Sequence, residues 1–371
     1  MLSYLIYSTY FMIACALSGN SKQRHNKYWN YFFIIFTFGL MLFMMACRRP
    51  DVGNDTQAYV TFFRKMGAGN INYDRRVEIC FRYLTVFLSH ITNNEQIYLA
   101  ICVILAFIPY LAFLVKTSDN LEFSIAMFWL NGCIVITSAS RQGIAMGIIL
   151  LGYLYLRTEK PGAVLIYSLL CILASLFHTA AIVMIIMPIF RKKKITARTM
   201  LIITLLTLGL TATNLVSFVF SRFVGNYYIL YSDVQSGWAA AMFNMLLGVV
   251  AYVIEYYSLS YEERRYFLTK DEKNIQEENT LQIRNETYFF RWATIFSVAC
   301  CILSVNSSVM GREASYFQPF LIVYLSNHIG KIKYSRYIMV GILLARIGYS
   351  ALALVIRPEW NSFFPFYYFW Q

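Results

Sequence analysis

Long apolar runs, broken by short clusters of charge, recur from one end of this chain to the other. Twelve stand out: 2–18, 28–47, 97–115, 121–139, 141–157, 162–177, 179–190, 199–220, 238–258, 288–305, 314–329 and 337–356. Most approach the ~20 apolar residues a helix needs to cross the hydrocarbon of a bilayer, range about 17–25. No water is available there, so a crossing segment must satisfy its own backbone hydrogen bonds, and a helix does so. Hydrophobic residues make up 58% of the 371 and charged residues 14%, against roughly 25% charged in ordinary globular domains. A soluble cytoplasmic enzyme, a disordered chain and a disulfide-stapled secreted domain are all excluded. The expected fold is all-α: a single integral membrane domain over 1–371, a polytopic transmembrane helix bundle of about twelve spans, or 10–12 with short or re-entrant segments. The run at 179–190 is too short to cross alone, and one reading joins it to 162–177 as a kinked helix of 29 residues. The first run lacks a basic leader and a small-residue cleavage site, so it reads as a retained helix, not a signal peptide.

Orientation follows from where the Lys and Arg lie, since cytoplasmic loops carry the excess. The strongest cluster is Arg191, Lys192, Lys193, Lys194 and Arg198; two others are Lys22, Arg24, Lys27 and Lys331, Lys333, Arg336. Placing all three inside is consistent with twelve spans and both termini outside. The net charge of +13 is therefore read as a topology signal and not as a nucleic-acid surface. The mixed-sign stretch 259–287 also falls inside, as a charged cytoplasmic loop, a solvated helix or linker. The eight Cys lie mostly in apolar runs, without zinc-ligand spacing, and read as packing residues.

The outside loops should be poor in positive charge, yet they hold Arg48, Arg49, Arg64, Lys65, Arg75, Arg76, Arg141, Arg222, Arg312 and Arg357. Nearly all are Arg, a planar fork that grips phosphate bidentately. They form a site, or several of them snorkel to lipid headgroups. The largest outside segment runs over 48–96. Within it, 77–92 mixes apolar residues with Glu78, Arg82 and His90 and reads as an amphipathic helix on or in the membrane surface. The Tyr-rich 221–237 and the aromatic C-terminus 357–371 are an interfacial belt or a sugar-stacking surface.

Four clusters at the outer helix ends could carry chemistry. In Arg49-Pro-Asp-Val-Gly-Asn-Asp55-Thr-Gln-Ala-Tyr59, Pro50 and Gly53 impose a turn. Its carboxylates, Asp51 and Asp55, either act as a base or hold an Arg. In Ser138-Ala-Ser-Arg141-Gln142-Gly143, Arg141 stands between two apolar runs, a costly place for a charge. It opens a helix, where free N–H groups favour an anion; the alternative is a helix-end salt bridge. Phe177-His178-Thr179 puts a His inside a long apolar stretch: it is a satisfied packing residue, or one that burial keeps neutral and suited to proton transfer or hydrogen bonding. Asn306-Ser-Ser-Val-Met-Gly-Arg312-Glu-Ala-Ser-Tyr316-Phe317 leads into another span. Arg346, within the last span, requires an acidic or carbonyl partner. No phosphate-binding glycine loop, dinucleotide fingerprint or Asp-x-Asp motif is present, so no cofactor and no metal are expected.

Together these clusters resemble the EpsG family, within the Wzy-type exopolysaccharide and O-antigen polymerases. The resemblance rests on Arg49, Val52, Gly53, Asp55 and Tyr59; on Glu78-Ile-Cys80-Phe81, where Cys replaces a usual Gly; and on Arg141-Gln142, Phe177-His178 and Arg312 with Tyr316-Phe317. It implies a membrane polysaccharide polymerase, a glycosyltransferase at the outer face of the bacterial cytoplasmic membrane. Its substrates would be oligosaccharide repeat units on undecaprenyl diphosphate, with flippase and chain-length regulator proteins as partners. Arg49, Arg141 and Arg312 would face the diphosphate, with Gln142, Tyr59 and Tyr316 in substrate binding. Asp55 or His178 would be the base and Glu78 a reserve carboxylate. The other classes are a polysaccharide flippase or exporter, and another lipid-linked transferase such as an O-antigen ligase. Alternating access predicts pseudo-repeats, and none is visible.

Overall fold

The computed structural model describes residues 7–10, 12–13, 27–70, 72–213, 238–259, 278–306, 308–356 and 366–371. Among these, the regular structure is helical; the strand pairing is one isolated antiparallel bridge, Arg48 to Tyr368. The main helices are α1 (Lys27–Ala46), α2 (Thr56–Gly67), α3 (Ile79–Ile91), α4 (Glu95–Thr117), α5 (Leu121–Phe128), α6 (Ser140–Leu156), α7 (Ala163–Ser175), α8 (Ala197–Ala212), α9 (Trp238–Ser258), α10 (Glu278–Leu303), α11 (Ser308–Ile329) and α12 (Ser335–Ile356). Among the described residues, four stretches are long and apolar enough to cross a membrane: Glu95–Thr117, Ala241–Ser258, Asn285–Leu303 and Ser335–Ala353. Shorter apolar helices include Ile34–Ala46, Ala163–Ser175 and Arg198–Ala212. Most of the run 2–18, the Tyr-rich 221–237 and the greater part of the charged stretch 259–287 lie outside the described residues. The end of that stretch is helical, since α10 begins at Glu278.

The chain divides into two compact units, one of residues 1–182 and 334–371, the other of 183–333. In the first, α4 packs against α1, α2 and α6. Small residues let α6 sit tightly on α4. A Cβ on Gly147 would lie 3.2 Å from the Leu105 carbonyl and Pro109, and one on Gly143 would lie 3.1 Å from Ala106 Cβ. Glycines four apart stack on one helix face, the usual means of close helix contact in membranes. The segment after α1, read from sequence as a loop carrying one amphipathic helix, contains two. In α2, Tyr59, Val60, Phe62, Phe63 and Met66 are buried, and in α3 Phe81, Thr85 and Leu88. They share a core with Tyr98, Leu99 and Cys102 of α4. The opposite side of α3 exposes Ile79, Tyr83, Phe87 and Ile91, an i, i+4 row of apolar side chains. Asn94 caps α4, its Oδ1 accepting from Gln96 N at 2.8 Å.

Two predicted runs are interrupted. The run 121–139 passes through a π-helical turn at Trp129–Cys133 and breaks at Ala139, before α6 starts at Ser140. The widened turn lies where the Leu130 carbonyl accepts from Arg346 Nε at 3.2 Å, supplying the carbonyl partner expected for that Arg. The stretch 162–190 is not one kinked helix. Helix α7 ends at Ser175, residues 176–178 form a turn, and a 3₁₀ segment follows over Thr179–Ile186. The N–H groups of Phe177 and His178 both donate to the Ala174 carbonyl, which closes the helix and leaves His178 in the break.

In the second unit α10 packs against α8, α9 and α11. Arg291 of α10 and Glu255 of α9 form an ion pair whose side chains are 6% and 0% exposed. Arg291 Nη2 and Nε donate to Glu255 Oε1 at 2.7 and 2.9 Å. Tyr324 of α11 donates to Glu255 Oε2. His328 Nε2 stands 3.6 Å from Oε1, and its Nδ1 is 3.0 Å from Ser258 Oγ. One carboxylate thus ties together three helices. Cys102, Cys133, Cys171 and Cys301 are buried free thiols, as expected of packing residues.

Candidate functional site

The turn after α1 is built first by its backbone. Val52 N donates to the Arg49 carbonyl, and Thr56 N to the Gly53 carbonyl. Gly53 has φ +103°, and a Cβ there would lie 2.8 Å from both Ser138 Oγ and Thr56 Oγ1. Only glycine fits that conformation in that space. Gly53→Ala should therefore destabilise the protein by ~1–3 kcal/mol and displace the start of α2. The check is heat stability of the full chain in detergent, and wild-type stability would contradict it.

The same turn separates the two arginines at its head. Arg48 is fully buried and donates to the carbonyls of Met45 at 2.7 Å and Thr137 at 3.0 Å. It therefore holds helix ends together instead of facing a substrate. Arg49 is partly exposed and forks onto Asp51, with Nε–Oδ1 2.7 Å and Nη2–Oδ2 2.6 Å. The Arg49 hydrogen bond holds the Asp51 carboxyl below the usual carboxylate range. Arg49 also stacks on the Tyr367 ring, 4.2 Å from guanidinium carbon to ring centre. Backbone bonds from Arg49 N to the Tyr367 carbonyl and from Phe369 N to the Cys47 carbonyl place that ring. Asp55 is exposed at the N-cap position of α2 and makes no side-chain capping bond.

Three separate clusters of the sequence meet around Arg141. It is the second residue of α6, and its Nη1 donates to Glu78 Oε2 at 2.5 Å. Its Nε is 3.4 Å from the Tyr59 hydroxyl, and the guanidinium lies 5.9 Å from the Tyr59 ring centre. Glu78 is the N-cap residue of α3, and its other oxygen accepts from Thr179 N at 3.1 Å and Thr179 Oγ1 at 3.3 Å. The break after α7 makes the Thr179 N–H available, and Cys80 N donating to the Leu176 carbonyl pins that break to α3. Cys80 is in ordinary helix, so the Gly usual at this place has no conformational role here. Tyr59 is buried, its ring tilted against Phe81 with centroids 5.4 Å apart, and burial pushes its phenol up while Arg141 pulls it the other way. The pair itself is not sealed off: Arg141 is 27% and Glu78 15% exposed.

This arrangement presents a rigid guanidinium with a carboxylate beside it, at a partly open surface. Such an arrangement can pair an anion with Arg141 in competition with Glu78, and a carboxylate released in that way can accept a proton. Nearby, Asp74 is chelated by Arg76, whose hydrogen bonds hold its carboxyl low. Among the described residues no three His, Cys, Asp or Glu side chains gather as metal ligands do.

The EpsG family model matches residues 29–368, nearly the whole chain. The chain belongs to the EpsG family. That family is Wzy-polymerase-like, and its members' character together with the apolar helices makes this chain a multi-pass membrane protein of polysaccharide biosynthesis. No curated protein and no solved structure matches it.

Of the residues that carry the EpsG resemblance, the structure brings together Tyr59, Glu78 and Arg141, and seats half-buried His178 next to Thr179. Gln142 is buried in α6. Arg312 is exposed in the first turns of α11, in the other unit, and Tyr316 one turn later is fully buried. Three contacts were not foreseen: Thr179 as the clamp on Glu78, Ser138 beneath Gly53, and Tyr367 over Arg49. Thr179 and Ser138 stand inside clusters that the sequence singles out. Tyr367 had no signal beyond the aromatic richness of its segment.

Proposed function

We propose that this chain is a block-transfer polysaccharide polymerase, joining oligosaccharide repeat units carried on undecaprenyl diphosphate at the outer face of the bacterial cytoplasmic membrane. The observation that carries the reading is the Tyr59–Glu78–Arg141–Thr179 cluster. In the reaction, an acceptor hydroxyl oxygen bonds to the anomeric carbon of the donor chain. The bond from that carbon to the diphosphate oxygen breaks, and undecaprenyl diphosphate leaves with the electron pair. The acceptor proton passes to a base. Arg141 meets the charge that develops on the leaving diphosphate, with Arg49 as a further cation. Glu78 takes the proton, in preference to exposed Asp55, because it alone of the two touches Arg141. His178, in the turn beside Thr179, is the second candidate. A flippase and a chain-length regulator are the partners this reading calls for.

The test is the polysaccharide made by cells whose only copy carries Glu78→Gln or Asp55→Asn. Glu78→Gln keeps the shape and the Thr179 contact but removes the base, and should slow chain growth by about 10²–10⁴. Asp55→Asn should leave long chains. Normal chain length with Glu78→Gln would remove this cluster from the reaction.

A further inference from the structure

A polar side chain at the N-cap of a helix ordinarily accepts from the free N–H groups of its own first turn. Glu78 holds that position on α3 and makes no such bond. The second N–H of α3, that of Cys80, donates instead to the Leu176 carbonyl at 3.0 Å. The turn that supplies this carbonyl also supplies donors to Glu78. Thr179 opens the 3₁₀ segment, where the first N–H groups have no partner within the helix. Its N–H donates to Glu78 Oε1 at 3.1 Å, and its hydroxyl donates to the same oxygen at 3.3 Å. The turn 176–179 therefore takes over the cap of α3 and leaves the Glu78 carboxylate to Arg141 and Thr179.

The two oxygens of that carboxylate are divided between them. Oε1 carries both Thr179 donors, and Oε2 carries Arg141. When a diphosphate takes Arg141, Oε2 loses its donor and Oε1 keeps both of its own. A glutamate held by Arg141 alone would then be free to turn through its rotamers; one held by Thr179 stays in place. We propose that Thr179 is a positioning residue for this reaction. It fixes Glu78 while Arg141 passes from carboxylate to diphosphate, and it leaves Oε2 as the oxygen that takes the acceptor proton. The acceptor O–H bond breaks, its proton goes to Oε2, and the acceptor oxygen keeps the electron pair with which it bonds to the anomeric carbon. The inference rests on the polymerase reading and adds to it the group that holds the base.

The experiment is polymerisation by the purified full chain, fed with undecaprenyl-diphosphate-linked repeat unit isolated from cells that lack this protein. Thr179→Val removes the hydroxyl and keeps the shape and the N–H. It should lower kcat about tenfold, the lower end of what a hydrogen bond to a charged group contributes. KM should not change, because Thr179 touches the base and not the substrate. Thr179→Ser restores the hydroxyl and should return kcat to within about twofold of wild type. The deciding variant combines Thr179→Val with Glu78→Gln. With the base gone Thr179 has nothing to hold, so the double variant should be no slower than Glu78→Gln alone. A residue that only supported the fold would add its own loss. Should the valine variant fail to fold, Thr179→Ala replaces it in both arms. The proposal is overturned by wild-type kcat in Thr179→Val, by a change in KM alone, by a serine variant no faster than the valine one, or by an additive loss in the double variant. If Thr179→Val runs at the wild-type rate while Glu78→Gln is slow, the positioning role fails and the polymerase reading stands. If Glu78→Gln also runs at the wild-type rate, the Arg141 cluster is not the site, and both fall.

Discussion

Cells whose only copy of this protein carries Arg141→Lys should make few long polysaccharide chains and should accumulate single repeat units. Charge is conserved in that substitution, but geometry is not. The Arg141 fork engages Glu78 through Nη1 and approaches the Tyr59 hydroxyl through Nε, so its plane is set from two sides. An ammonium is a point charge and cannot reproduce a planar, bidentate donor. Loss of one preorganised donor to developing charge commonly costs ~3–4 kcal/mol of transition-state stabilisation, about 10²–10³ in rate. Membrane insertion should survive, because Lys retains the charge and the apolar stem and still reaches a carboxylate. The measurement is chain-length analysis of the polysaccharide, with protein level in the membrane as control. Normal long chains at normal abundance would remove Arg141 from the mechanism. Disappearance of outward-facing repeat units altogether would point instead to transport.

The second large effect concerns stability. Glu255→Ala or Arg291→Ala should each cost ~3–5 kcal/mol, because each leaves the other charge buried and unpaired. Both side chains are nearly inaccessible, and Tyr324 also depends on the carboxylate. The double replacement Glu255→Leu with Arg291→Met should be far less harmful than either single change. It removes both charges together and refills much of the volume, and apolar replacements of whole buried pairs are often neutral or better. The measurement is the temperature at which the detergent-solubilised full chain loses its monodisperse form. Single variants as stable as wild type would show that the pair is not buried as the structure has it. A double variant worse than both singles would show that Tyr324 and His328 need the carboxylate more than Arg291 does.

The Glu255–Arg291 pair also marks how far sequence reasoning reaches. Glu255 is the only charge in the run 238–258, and Arg291 the only charge in 288–305. A lone acid and a lone base in neighbouring spans are a readable hint, since isolated intramembrane charges seek partners. The partner of Arg346 was anticipated on that logic, as an acid or a carbonyl, and proved to be the Leu130 carbonyl. Helix α2 was harder. Its apolar residues at 59, 60, 62, 63 and 66 have helical spacing, but the segment is short and mixed with polar residues, and it reads as loop. Only its packing on α3 and α4 gives it a buried face.

From the order of residues alone the chain reads as helical and membrane-bound, with Arg141 opening a helix and four clusters carrying the resemblance to the EpsG family. These are local properties: run length, period and residue type are set along the chain. Which side chains touch was decided by the tertiary structure alone. It buried Arg48 and left Arg49 on Asp51 and Tyr367, although the two arginines are adjacent. It put Glu78 on Arg141 and Thr179, across 63 and 101 residues of sequence. A helix end offers several charges at similar depth, and nothing in their order along the chain says which will face which. Close packing at Gly143 and Gly147, and the break before Thr179, set the positions of the backbones. Hydrogen bonds reward contacts only within a few tenths of an ångström, so those backbone positions select the partners.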